Sequence, residues 1–421
     1  MLSPRTSLPV FVLAAAAFVP LAHAQWTVTN LHPTTGTRSR AQGCGEAWQG
    51  GYAFTGGVDQ ATVWAGTSTS AVDVHPAGAA YSRIYDVAGV GAGRDAVGVG
   101  RFGLDHAAHW SGASHTFVDL HPAGGFSSVG YGTDGEQQVG IVYIGTPPAG
   151  LYHASLWTGT AESWVSLHPG LVASFAYGVH GGVQNGQQVG YTDMGGFVQN
   201  AALWTGTAAS WVNLHPAAAT YSIAFAVHVG PQGGQQGGIA GVDNVDHASL
   251  WSGTPESWVD LHPVGAGAVD SEVSGMGPGV QVGSAMIGSF RHAGYWTGTA
   301  SSWVDLTAVL LGSWGDTEAE SVWVSGGQMF ISGWGRNLTT SRDEALLWSG
   351  PAPGPTCDGI DFNGDGLFPD TQDIADFLLV FGGGACPTGT CGDIDFNNDG
   401  LFPDTDDIGA LIRVFGGGEC Q

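Results

Sequence analysis

The chain has 421 residues, among them 71 glycines and 16 tryptophans, with 36 acidic against 10 basic residues and a formal net charge of −26 at pH 7. Too little cationic charge remains to neutralise phosphates, so nucleic acid is excluded as a partner. Charged residues make up only 11%, and a glycine-rich chain of that kind suits many short strands joined by tight turns.

Residues 1–24 have the layout of a secretory signal peptide. Arg5 supplies the charged start, Val10 to Val19 the apolar stretch, and Ala22-His23-Ala24 the small-residue cleavage site. Nothing later reaches the roughly 18 uninterrupted apolar residues of a membrane helix, so no span is expected. The mature protein is expected to be secreted, either extracellular or at the cell surface, where disulfides persist.

Residues 25–350 repeat. A Trp-x-Gly step recurs at Trp64, Trp110, Trp157, Trp204, Trp251, Trp296 and Trp348, and the first six are followed by a strand reading Val-Asp-Leu-His-Pro or nearly so. That strand brings His75, His121, His168, His215 and His262, with Thr307 in sixth place. A period of about 47 residues fits the four-stranded blade of a β-propeller. The seventh step lacks a fourth strand, and Trp26–Pro33 is a spare one. The predicted fold is therefore mainly β, a seven-bladed propeller closed by its N-terminal strand, which leaves no open sheet edge.

Gly186 to Gly190, read with His153 to Trp157 and His247 to Trp251, resembles the bacterial extracellular HAF repeat. The resemblance implies secretion and repeat architecture, and no reaction.

The histidines of the His-Pro step recur with the frame, so they are expected to serve the frame, as are the Trp-x-Gly tryptophans. The residue four before each of those tryptophans is always polar but varies: Gln60, His106, His153, Asn200, His247, His292 and Glu344. It opens the third strand beside the most divergent loops, and loops on a rigid scaffold are where binding is usually placed. Candidate ligand-binding residues on that face are His106, His153, His247, His292, Arg291, Arg336 and Tyr152. No nucleophile elbow, zinc-protease motif or phosphate loop appears, so no catalytic residue is assigned.

Residues 351–356 form a proline-rich linker, and residues 357–421 carry one unit written twice at a 34-residue offset. Oxygen side chains at loop positions 1, 3 and 5, then glycine at 6, suit a hard cation. The expected ligands are Asp361, Asn363, Asp365, Leu367 (by its carbonyl) and Asp373, with Asp395, Asn397, Asp399, Leu401 and Asp407 in the second copy. Two Ca2+ ions are expected. A helix should follow each loop, with Ile374, Phe377, Leu378 and Phe381 on one apolar face and Ile408, Leu411, Ile412 and Phe415 on the other. Four cysteines allow three connectivities; the duplication favours Cys357–Cys386 and Cys391–Cys420, leaving Cys44 unpartnered.

This segment resembles a dockerin of the cysteine-bounded, Gly-Gly-Gly-rich variety. The resemblance implies a cohesin-like or other surface receptor as partner and a tethering role. The closing carboxylate sits one residue late, so Asp370 and Asp404 are alternative ligands.

Together these readings predict an exported, non-enzymatic propeller that binds a glycan or protein and is anchored through a calcium-dependent tail. The alternative is a secreted carbohydrate-active enzyme, a glycoside hydrolase or polysaccharide lyase, which a pair of neighbouring carboxylates in a propeller pocket would favour.

Overall fold

The computed structural model describes residues 26–89, 91–196, 198–230, 233–353, 359–366, 370–392, 394–397 and 405–416. The expected signal peptide, Leu367, Asp399, Leu401, Asp404, Cys357 and Cys420 lie outside them. Among the described residues no helix is long and apolar enough to cross a membrane.

Seven four-stranded antiparallel sheets form a propeller. Blade 3 shows the pattern, with strands Gly125–Thr133, Gln138–Ile144, Leu151–Trp157 and Val165–Ser166 in sequence order from the axis outward. The spare strand fills the predicted gap. Thr27–Asn30 pairs antiparallel with Arg342–Pro351, matching Val28 with Trp348, and completes blade 7.

The core lies between blades. All seven Trp-x-Gly tryptophans are buried to within 1% of full, and Trp110 of blade 2 shares a cluster with Ala61 and Val63 of blade 1 and Ile84 of its own blade. Leu120, Leu167, Leu214 and Leu261 of the Val-Asp-Leu-His-Pro step are wholly buried, whereas Val165, Val212 and Val259, two residues earlier, face out. Strict alternation would place both on one face, but the fourth strand ends between them, at Ser166, Asn213 and Asp260.

Each first strand breaks register at one equivalent point. The shifts fall between Ala41 and Gly43, Ile84 and Asp86, Gly130 and Gly132, Ala176 and Gly178, Ala224 and Ala226, Val273 and Gly275, and Ala319 and Ser321. A bulge leaves one residue out of the ladder and bends the strand. Glycine after the bulge permits close blade contact: a Cβ on Gly178 would stand 2.7 Å from the Phe225 carbonyl oxygen.

In the tail, helices Thr371–Phe381 and Thr405–Phe415 follow the two loops. Asp370 caps the first, accepting from the Gln372 N–H at 2.7 Å. Phe362, Phe377, Phe396 and Leu411 form the core. Leu378 and Ile412, expected on the inner faces, are 45% and 55% exposed, because the loop residues Phe362 and Phe396 fill the space between the helices. The disulfide differs from the favoured pairing: Cys386 joins Cys391, with Cα atoms 5.8 Å apart across a short turn. A turn that brings two Cα atoms that close decides the bond, whatever the repeat frame implies. Cys44 is free and buried.

Candidate functional site

The propeller has two ends. One, the loop face, carries the loops before the third strands and the blade-to-blade connections. The other, the turn face, carries the hairpins between first and second strands.

At the loop face the repeated polar residues tie strands together. His106 Nδ1 meets Asp119 at 2.8 Å, His247 meets Asp260 at 2.9 Å, His292 meets Asp305 at 2.8 Å, and His153 meets Ser166 at 3.0 Å. Each partner belongs to the fourth strand of the same blade. In blade 7 the latch supplies the equivalent, with Asn30 donating to Glu344 at 2.6 Å. His106 also stacks on His121 at 4.1 Å, as His247 does on His262. These four histidines are spread around the ring, one per blade, and do not meet.

The His-Pro histidines join blade to blade. His121 Nε2 lies 3.2 Å from the Gly125 carbonyl oxygen, which requires the proton there, so Nδ1 accepts from Ser128 Oγ at 2.8 Å. Ser128 Oγ in turn accepts from the buried Ala107 N–H at 2.8 Å. Burial is the first cause lowering the pKa of His32, His121, His168, His215 and His262.

The remaining residues expected on this face are paired or stacked as well. Arg291 is paired with Asp270 at 3.1 Å and Glu272 at 3.5 Å. Arg336 pairs with Asp343 at 3.3 Å and, with Arg38 and Arg342, borders a cleft of about 260 Å³ between blades 7 and 1. Tyr152, 40% exposed, sits between Tyr143 and Phe175 with ring centroids 4.9 and 5.1 Å away. Every described arginine of the propeller except Arg94 lies at this end, as do the exposed side chains Leu104, Phe126, Leu151, Phe290, Leu311 and Leu338.

The axial channel was not anticipated. The seven residues left out of the ladder by the bulges, Gln42, Tyr85, Tyr131, Tyr177, Phe225, Ser274 and Glu320, all line a cavity of about 810 Å³. Blades 2 to 5 thus supply rings and blades 6, 7 and 1 supply polar groups. The rings touch in succession, at 5.6, 5.1 and 5.5 Å between centroids. Beyond them toward the turn face stand Asp86, Asp134, His180 and His228. Burial pushes the Asp86 carboxyl up to about 7. Glu320 keeps an edge on the channel, yet burial, together with the charges of Glu318 and Glu272, pushes it up to about 8. The Trp334 indole N–H donates to both Glu318 at 3.1 Å and Glu320 at 3.2 Å. Counting three residues on from the inter-blade serine in each repeat would have revealed this belt.

In the tail, Asp361 Oδ1 and Asn363 Oδ1 each accept from the Asp365 N–H at 3.1 Å, so the first loop curls its oxygens about one point. Asp373 accepts from the Asn363 N–H at 3.2 Å and the Asp370 N–H at 2.9 Å; Asp407 repeats the first contact with Asn397 at 3.2 Å. These oxygen donors have the chemistry of a hard-cation loop. Among the described residues no group of three or more His, Cys, Asp or Glu is set to hold a metal ion.

No family model matches the chain, and no curated protein sequence matches it. Among solved structures it is similar to a puromycin hydrolase S511A mutant complexed with PGG, at 13% identity and a TM-score of 0.49, over 73% of this chain and 53% of that one. It is similar to TolB from Acinetobacter baumannii at 8% identity and a TM-score of 0.42, over 67% and 63% of the two chains. It is similar to the polysaccharide lyase Uly1 at 8% identity and a TM-score of 0.42, over 76% and 90%. The chain therefore spans about half the length of the puromycin hydrolase, and no activity is carried over from these likenesses.

Proposed function

We propose that this is an exported, non-enzymatic propeller that binds a glycan or protein on its loop face and is tethered by a dockerin-like tail holding two calcium ions. The observation that carries the reading is the concentration of exposed apolar side chains and arginines at that one end. Contiguous apolar surface rimmed by polar groups marks interaction sites, and Tyr152 offers a ring face of the kind sugars and peptides stack on. The paired Asp361 and Asn363 oxygens support calcium in the tail, and the duplicated helices supply a surface for a cohesin-like or other receptor. A glycan array and a pull-down with the full chain test the propeller; Tyr152→Ala with Arg336→Ala should abolish capture without lowering the melting temperature. Unchanged capture by that variant would remove the loop face from the function.

One observation favours the enzyme reading. Glu318 and Glu320 share the Trp334 N–H and so form a neighbouring carboxyl pair. Both project from one strand, whereas hydrolysis of a glycosidic bond needs carboxyls on its two flanks. Release of reducing sugar from a polysaccharide panel, lost in Glu320→Gln, would establish it.

A further inference from the structure

We propose that the turn-face half of the axial channel binds the primary ammonium group of a small organic ligand. This site lies inside the ring, apart from the loop face, and does not depend on what binds there.

The cavity of about 810 Å³ is in the range that encloses small molecules. Its lining holds four carboxylic side chains, Asp86, Asp134, Glu272 and Glu320, and neither lysine nor arginine. The composition repels an anionic ligand. Glu272 is served by Arg291 from outside the cavity, but Asp86 accepts only from the Val87 and Thr133 N–H groups, and Glu320 from the Trp334 indole. Two deeply set carboxyls therefore face the channel with no cation bonded to them. Arg40 acts on Glu320 only from a distance and is itself bonded to Asp343 at 2.8 Å. A buried carboxyl with no cation in direct contact is costly to keep charged, and a cationic ligand would supply that contact.

Two further features point to an ammonium group. Across the channel from Glu320, Tyr85, Tyr131, Tyr177 and Phe225 form a half-ring of aromatic faces, whose quadrupoles attract a cation. Independently, the buried Oε1 of Gln42, beside this belt, has no hydrogen-bond donor. A primary ammonium carries three donors and one charge, enough for Gln42, Glu320 and an aromatic face together. A metal ion fits less well, because no three acidic or histidine side chains among the described residues are gathered around one point. The chain contains no lysine, so no ammonium side chain of its own can occupy the site.

The test is calorimetric titration of the full chain, in calcium, with cadaverine and with its uncharged isostere pentane-1,5-diol. We expect cadaverine to bind with a Kd below about 1 mM and the diol at least tenfold more weakly. Glu320→Gln should weaken cadaverine at least tenfold. Ser274→Arg, which places a cation in the cavity without touching a carboxyl, should abolish binding and guards against a Glu320→Gln variant that folds poorly. Equal affinity for amine and diol, cadaverine binding unchanged in either variant, or no binding at 10 mM would each overturn the proposal.

Discussion

Ser128 of blade 3 donates to His121 at the end of blade 2 across 2.8 Å, while accepting from the buried Ala107 N–H of blade 2. One hydroxyl therefore joins two blades through a donor and an acceptor at once. The same arrangement recurs at His32–Ser39, His75–Ser82, His168–Ser174, His215–Ser222 and His262–Ser271, and Thr307–Thr317 replaces it at the last joint. Ser128→Ala should cost about 2 kcal/mol, because it strands a buried backbone N–H as well as the histidine. Differential scanning calorimetry should show a drop of several degrees. A hydroxyl-bearing Ser128→Thr should lose less, since threonine serves at the seventh joint.

These joints set the acid limit. Burial holds the pKa of His32, His121, His168, His215 and His262 below the ordinary 6.5. Below that value the unfolded chain takes up protons that the folded chain refuses, so stability falls as pH falls. We expect the melting temperature to decline from about pH 6.5 downward, and the decline to be shallower in a variant with His121 and His262 both replaced by Gln. A profile flat to pH 5 would contradict the neutral tautomer assigned here.

Glu320 acts in the opposite sense. Its folded pKa is raised to about 8, so the folded chain holds a proton that the unfolded chain releases near pH 4.5. Its contribution is complete below that pH and is lost as pH rises through 8. Glu318 on its own strand, Glu272 from blade 6 and Arg40 from blade 1 face it. Glu320→Gln should match the parent at pH 4.5 and melt progressively higher than it from pH 6 to 9. A constant difference across that range would show that the carboxyl does not titrate there.

The blade frame was legible because packing repeats: a tryptophan, a leucine and a histidine must recur wherever one blade meets the next. The latch was legible from arithmetic, since one strand was missing where another was spare. The channel was hidden for the opposite reason. Its lining sits at one register position whose identity changes from Gln42 to Tyr85 to Glu320, and a search for sameness passes over it. The roles of His106 and His292 depended on partners thirteen residues on, Asp119 and Asp305, whose side-chain direction only the folded strand pair sets. The Cys386–Cys391 bond was hidden similarly, being decided by a local turn.

The latch should carry much of the ring's stability. Residues 27–30 supply the fourth strand of blade 7, Leu31 is fully buried, and His32 clips Ser39 of blade 1 at 2.8 Å. Deleting residues 26–33 opens a sheet edge and empties that joint. A sharp fall in melting temperature is expected; Thr29→Pro, which removes one ladder donor, should give a smaller fall. A deletion that melts with the parent would show that the ring closes without the strand.

The tail should bind two calcium ions and depend on them. Its loops gather Asp361, Asn363, Asp365 and Asp373, and in the second copy Asp395, Asn397 and Asp407, against Arg413 as the one basic residue of residues 357–421. Unscreened, these carboxylates repel one another and oppose compaction, so calcium binding should appear as folding free energy. The tail core of Phe362, Phe377, Phe396 and Leu411 is a cluster of its own, distinct from the blade clusters. Loss of calcium should therefore melt the helices and leave the ring standing. Calorimetry of the full chain should show two sites, with chelator removing helical signal but not the propeller's melting transition. Asp361→Ala with Asp395→Ala should abolish both binding heats and leave that transition in place. Uptake of no calcium at millimolar concentration, or helical signal unchanged in chelator, would show that the loops fold without an ion.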